Sequence, residues 1–260
     1  MKRHTKKYLI INADDFNLTP SVSRAILYGA EQGVISSTSV FVTGGGTRFF
    51  PPLKKVRSLS IGLHFNITAG KPISRPQTVR TLVMHNGTFK PRAQQRFNKI
   101  TSDDVGRELE AQIKKFVSLF GCLPTHIDSH HHVHEYKRIY SAVCTIAQYY
   151  NIPIRKRYLK AHHDSGEEVL TTDFLYGRFE AARHWTIHSL LRVLRGLKNG
   201  VSELIVHPGY ASPLLRKKSS FNRQRERELD ALCSNDFKNI LKEKAIALIR
   251  FDDLQWIRGR

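Results

Sequence analysis

Acidic and imidazole side chains recur in this chain where apolar stretches stop. Asp14 and Asp15 follow the run YLIINA at 8–13, and His64 closes LSIGLHF at 59–65. THID at 125–128 ends on Asp128 and leads into the run to His134, and His207 follows SELIV at 202–206. Carboxylates and neutral imidazoles are the donors that suit a borderline divalent ion. One Asp with two His would leave positions on such an ion for water and a substrate oxygen, whereas structural zinc sites fill all four with protein atoms. The ion would polarise a carbonyl and acidify its water, and a further carboxylate could take the proton. His207 stands in Val-His-Pro-Gly, a turn that presents the ring outward as a general acid requires. The residues alone point to metal-dependent hydrolysis with a carboxylate base and a histidine acid. They leave the bond open.

Each residue has a plainer reading. An Asp pair after a strand can cap a helix, and a lone His64 or His207 can be a hydrogen-bonded core residue. Two adjacent carboxylates at the end of a buried strand repel each other, however, and tolerate that better beside a cation. Four imidazoles among the five residues 130–134, set between a strand and a helix, are harder to assign to packing. Gly44–Gly46 match no phosphate-loop or dinucleotide pattern and read as a turn.

These residues need a scaffold that brings strand ends together. Strands are predicted at 8–13, 37–42, 59–65, 125–128, 152–154 and 202–206, from short apolar or β-branched runs bounded by turn residues. Thr19-Pro20-Ser21 starts a helix that Gly33 closes, and Ser102-Asp103-Asp104 starts another over 103–120 that ends at Gly121. Further helices are predicted over 136–150, 180–198 and 222–233, with a last helix–strand pair between 236 and 250. Residues 70–100 are polar and punctuated by Pro and Gly, which predicts a surface excursion. Strand and helix alternate throughout, so the expected fold class is α/β, one domain over 1–260 with a parallel sheet and outer helices. A barrel is preferred to an open doubly wound sheet. In both, functional groups gather at the carboxyl ends of the strands.

Composition narrows the classes. The chain has 260 residues, 40% apolar and 25% charged, with 16 Gly and 10 Pro, which excludes disorder and collagen-like repeats. No apolar run approaches the roughly 18 residues that cross a bilayer, and MKRHTKK followed by YLIINA is too short for a secretory leader. The expected location is the cytoplasm. Cys122, Cys144 and Cys233 form no paired motif, so neither a disulfide framework nor a thiolate zinc site is expected. Forty-two Lys+Arg against 22 Asp+Glu give a net charge of +20. The densest basic runs are Lys2-Arg3 with Lys6-Lys7, and Arg216-Lys217-Lys218 followed by Arg223, Arg225 and Arg227. Such a surface draws anionic partners.

The stretches LIINADDFNLTPSVSRAILYGAEQGVISSTSVFV, IGLHFNITAGKPI, FGCLPTHIDSHHHVHEY, IPIRK and ELIVHPGY resemble the YdjC family of carbohydrate deacetylases, which includes chitooligosaccharide deacetylases. RERELDAL and IALIRFDDL add a weaker likeness, and together they span nearly the whole chain. The resemblance implies a distorted (β/α) barrel of the polysaccharide-deacetylase type and removal of an N-acetyl group from an amino sugar. It implies Asp15, His64 and His130 as ligands of one divalent metal ion, Mg2+ or Zn2+. Asp14 becomes the candidate general base and His207 the candidate acid for the departing amine. Asp128 is implied to orient a histidine and Arg155 to hold substrate. The family usually has Gly where this chain has Asn17, and Asn is among the non-glycine residues that tolerate positive φ. The family pattern does not explain the positive charge, which suggests an anionic or lipid-linked acetylated sugar and peripheral contact with a membrane. Oligomeric state is left open, a homodimer included.

Three rival readings remain. An amidohydrolase-type hydrolase is suggested by His132-x-His134, but that pattern belongs after a first strand and here lies near mid-chain. A basic nucleic-acid-binding protein would account for the charge, predicts steep salt dependence, and gives no reason for Asp and His at strand ends; no specific nucleic acid is expected. A deacetylase-like protein that only binds sugar would not need the intact motif residues.

Overall fold

A computed structural model describes residues 6–44, 46–158, 169–177, 180 and 184–259. The chain divides into two compact units. The first comprises Met1–Val40, Gly46–Ile61 and Thr172–Arg260, and the second Phe41–Gly45 and Gly62–Thr171.

In the first unit, β1 (Lys7–Phe16) is followed by α1 (Pro20–Glu31), β2 (Ser37–Val40) and α2 (Phe50–Lys55). β3 (Ser60–Phe65) runs from the first unit into the second, which also holds α3 (Ser102–Phe120), β4 (Ile127–Ser129) and α4 (Lys137–Tyr150). The first unit resumes with β5 (Phe174–Tyr176), α5 (Ile187–Arg195), β6 (Gly200–Val206), α6 (Pro213–Lys218), α7 (Arg223–Cys233), α8 (Asn235–Glu243), β7 (Ile246–Leu248) and α9 (Leu254–Arg258). β1 pairs in parallel with β2, β6 and β7, and β5 pairs in parallel with β6. In the second unit Leu63, His64 and Phe65 of β3 pair in parallel with Ile127, Asp128 and Ser129 of β4.

β1 is the centre of the first unit. Leu9, Ile10, Ile11 and Ala13 are all fully buried, so both faces of the strand are covered, as parallel sheets require. α1 starts as its sequence indicates, with Thr19 accepting from the Val22 N–H and Pro in the first turn. α3 begins at a Thr101 cap and ends at Gly121 in the left-handed conformation (φ 79°). In β3, a Cβ at Gly62 would stand 2.2 Å from the buried His126 ring, so glycine is what lets that ring lie on the strand.

The excursion at 70–100 belongs to the second unit and consists of short 3-10 turns and one isolated bridge, Val83 with Phe89. α3 holds it down with buried carboxylates. Glu108 accepts from the Ile73 and Ser74 N–H groups at 3.0 Å each, and Asp104 from the Thr81 N–H and hydroxyl at 2.8 and 2.7 Å.

Some boundaries differ from expectation. β1 continues through both aspartates instead of stopping before them. The strand at 152–154 reduces to a single bridge between Ile154 and Ile127. The helix expected over 180–198 lies partly outside the described residues, and its described part is α5. No described helix is long and apolar enough to cross a membrane.

Candidate active site

In the first unit the site is built on the end of β1. Successive residues of a strand point to opposite faces, so two adjacent aspartates cannot serve one face of a regular strand. β1 departs from regularity at this point. Its register with β2 shifts between Ala13 and Phe16, and Asp15 has φ +70°. Asn17 follows with φ +73°, the conformation for which Asn substitutes tolerably for the family's glycine. Its N–H is held by the Ser23 hydroxyl at 3.1 Å.

Both carboxylates are buried, and each has its own partners. Asp14 Oδ1 accepts from the Asn12 side-chain amide at 2.9 Å, and the Asn12 carbonyl oxygen in turn accepts from the Ser37 hydroxyl at 2.6 Å. Asp14 Oδ2 lies 3.8 Å from His207 Nε2, so the predicted base and the predicted acid come together. Asp15 Oδ2 accepts from Arg225 Nη2 at 2.6 Å, and both groups are nearly inaccessible to solvent. Such a charge-assisted bond supplies part of the cation that two adjacent aspartates need. Arg225 also donates from Nε to the Phe221 carbonyl at 2.9 Å, and the Phe221 ring packs against His207 at 5.8 Å between centroids.

In the second unit His64 and Asp128 are register partners on neighbouring strands, and His64 Nδ1 shares a proton with Asp128 Oδ1 at 2.8 Å. Asp128 Oδ2 meets Arg155 Nη2 at 2.9 Å. Burial alone would raise the Asp128 carboxyl, but the Arg155 guanidinium and His64 outweigh it and hold it well below the usual carboxylate range. Arg155 is 0% exposed, its guanidinium enclosed against Asp128, a placement that suits orienting that carboxylate. His130 directly follows β4. Its ring lies 5.5 Å from that of His64, and the edge of Phe41 contacts both rings, at 4.7 Å for His64 and 4.9 Å for His130.

The rest of the histidine run serves the loop. His131 and His132 adopt left-handed φ of 57° and 53°. Ser129 Oγ accepts the His134 backbone N–H at 3.1 Å and bonds its Nδ1 at 2.5 Å. Ser129 thereby fixes the orientation of the His134 ring, which lies 6.1 Å from that of His132.

Buried His126 and His134 carry a pH consequence. Burial pushes each to about 3, with Arg155 adding to the fall and Asp128 opposing it. Unfolded, these rings titrate near 6.5, so below that pH the unfolded chain takes up protons that the folded chain refuses. The stability tied to their neutral rings is whole above about pH 6.5 and falls steadily as the pH drops toward 3. Denaturant unfolding at pH 7 and pH 5 should show this loss; equal stability at the two values would contradict it.

Sequence reading missed Asn12, Arg225 and Glu228. Asn12 was visible as a polar residue inside an apolar run. Arg225 and Glu228 sit in RERELDAL, which looks like any charged helix, and their partners lie 210 and 21 residues away.

The YdjC-like protein family matches residues 8–243. A chitooligosaccharide deacetylase of Serratia marcescens is 33% identical over 258 residues, covering 96% of this chain and 100% of its own. Among solved structures, an Enterococcus faecalis V583 protein named for cellobiose-phosphate cleavage superposes with a TM-score of 0.86 at 30% identity, covering 96% of this chain and 99% of its own. A family 4 acetyl xylan esterase from Clostridium thermocellum, solved with a cobalt ion, matches with a TM-score of 0.52 at 11% identity over 97% of this chain and 92% of its own, a likeness of fold alone. The expected fold class, α/β with parallel strands and outer helices of the polysaccharide-deacetylase type, is therefore the one the chain has.

Proposed function

The chain belongs to the YdjC-like protein family, and from that premise we propose that it is a carbohydrate deacetylase, a hydrolase that releases acetate from the N-acetyl group of an amino sugar. The observation that carries the reading is the facing of Asp14 Oδ2 and His207 Nε2 at 3.8 Å, a carboxylate and an imidazole at the ends of two paired strands.

We assign Asp15, His64 and His130 as the residues that hold one divalent ion, Mg2+ or Zn2+. The donor chemistry fits. A proton shared between His64 Nδ1 and Asp128 leaves the lone pair of the ring at Nε2, the arrangement found where a carboxylate orients a metal-ligating imidazole. Such an ion would supply stabilisation for the negative charge that develops on the acetyl oxygen.

The remaining work belongs to the chain's own groups. Asn12 holds one oxygen of Asp14, and the carboxylate takes the proton of the attacking water as the new C–O bond forms. As the C–N bond breaks, His207 gives its Nε2 proton to the amine nitrogen, which leaves poorly without one. Acetate and the free amino sugar are the products.

The +20 charge favours an anionic or lipid-linked form of the sugar through long-range attraction. Exposed Arg216, Lys217 and Lys218 end α6, where Lys218 donates to the Leu18 carbonyl at 3.2 Å, three residues beyond Asp15.

The test is acetate release from N-acetylglucosamine oligomers and an anionic analogue, with and without chelator and at low and high salt. Chelator-sensitive release is expected, faster and more salt-sensitive for the anionic sugar. No release from any acetylated sugar would overturn the deacetylase reading. Equal, salt-independent turnover of neutral and anionic sugars would overturn only the preference for an anion.

A further inference from the structure

We propose that Glu228 is a positioning residue for proton transfer to the leaving amine: its carboxylate fixes the backbone of His207, and through it the ring that faces Asp14. The inference rests on the deacetylase reading and deepens it.

His207 is the first residue past the ladder between β1 and β6, which ends at Ala13 with Val206. Its N–H therefore has no strand acceptor, and Pro208 beyond it has no N–H at all. Glu228, buried on α7, supplies the acceptor. Its Oε2 takes the His207 N–H at 2.7 Å, and its Oε1 takes the Trp185 N–H at 3.0 Å. The same helix grips the rest of the loop. Glu226 Oε1 accepts from the Ala211 N–H at 2.8 Å, and the Gly209 N–H reaches the Arg225 carbonyl at 3.4 Å. A Cβ on Gly209 would stand 2.9 Å from Arg225 Cδ, so loop and helix touch with no room for a side chain between them.

Holding a carboxylate out of water is costly, and packing alone does not call for one. What the charge provides is two short, directional bonds to backbone donors. With the His207 backbone held and Phe221 against its ring, two torsions of the side chain set the direction of Nε2. Arg225, which bonds Asp15, lies one turn before Glu228, so α7 registers both the predicted acid and a predicted ligand.

The test uses Glu228→Gln, in which one amide oxygen replaces two acceptors and one backbone N–H loses its partner. Two substrates separate positioning from general damage: an N-acetylated amino sugar, whose amine needs a proton to leave, and 4-nitrophenyl acetate, whose phenolate does not. The expected result is a fall in kcat of about 10- to 100-fold on the amide, with KM and aryl acetate hydrolysis changed less than about threefold. In a His207→Ala background the same change should add little. Equal losses on both substrates, no loss on the amide, or additive losses in the double variant would overturn the proposal. Glu228→Asp, with its carboxylate one methylene shorter, takes the same measurements if the Gln variant does not fold. If the wild type deacetylates no sugar, the deacetylase reading falls; a crystal structure of the variant then decides the positioning claim, and an unmoved His207 ring overturns it.

Discussion

Asp14→Asn is expected to lower kcat for N-acetyl hydrolysis by about 10²- to 10⁴-fold while changing divalent-metal affinity by no more than a few-fold. The substitution keeps the size of the side chain and an oxygen for the Asn12 amide, which donates to Asp14 Oδ1 at 2.9 Å. It removes the group that accepts a proton from water. Asp15, the next residue, keeps its own bond to Arg225 at 2.6 Å and its assigned place as a ligand. The paired measurement is kcat on an acetylated amino sugar and calorimetric metal affinity of the folded variant. Parallel loss of rate and metal would mean that Asp14 is a ligand and that the two aspartates exchange roles. An unchanged rate would remove it from the mechanism.

The second large effect is expected from His64→Ala and His130→Ala. Each should abolish tight binding of a divalent ion, and with it at least 10²-fold of the activity, a scale consistent with the loss of a group that stabilises an oxyanion. The two variants differ in what they leave behind. Without His64, Asp128 loses a buried partner and keeps Arg155 at 2.9 Å, so thermal stability should fall as well. His130 is half-buried and follows the end of β4, so its removal should cost binding far more than fold. Metal titration and thermal unfolding of both variants check this. Retained affinity in either would strike that residue from the ligand set.

The positions of these groups were legible in the sequence because buried parallel strands are apolar and both predicted aspartates interrupt one. His64, Asp128 and His207 stood out for the same reason. Helix limits at Thr19 and Gly121 were legible because caps are local chemistry, while the start of α3 was placed at Ser102 and its cap is Thr101. What could not be read locally depended on distant partners. Arg225 and Glu228 acquire meaning only when α7 meets the ends of β1 and β6. Nothing in IPIRK tells of Asp128, the buried counter-ion of Arg155. β5, only three residues long, has intermediate burial throughout and draws its definition from its ladder with β6 rather than from its own pattern. α2 was hidden by Pro51-Pro52, which its first turn admits because the N–H groups there need no helical acceptor.

The guanidinium on Asp15 also bears on how the protein comes to be loaded. In small zinc domains the ion is what makes burial of its ligands tolerable, so the chain collapses only around the metal. Here a permanent cation, itself part of α7, already offsets one of the two adjacent negative charges at the end of the central strand. On the assigned ligand set, the first unit's core would need no ion in order to assemble, and a divalent ion would enter a finished fold as an exchangeable guest. Which divalent ion fills the assigned ligands would in that case be decided by supply, after synthesis is complete.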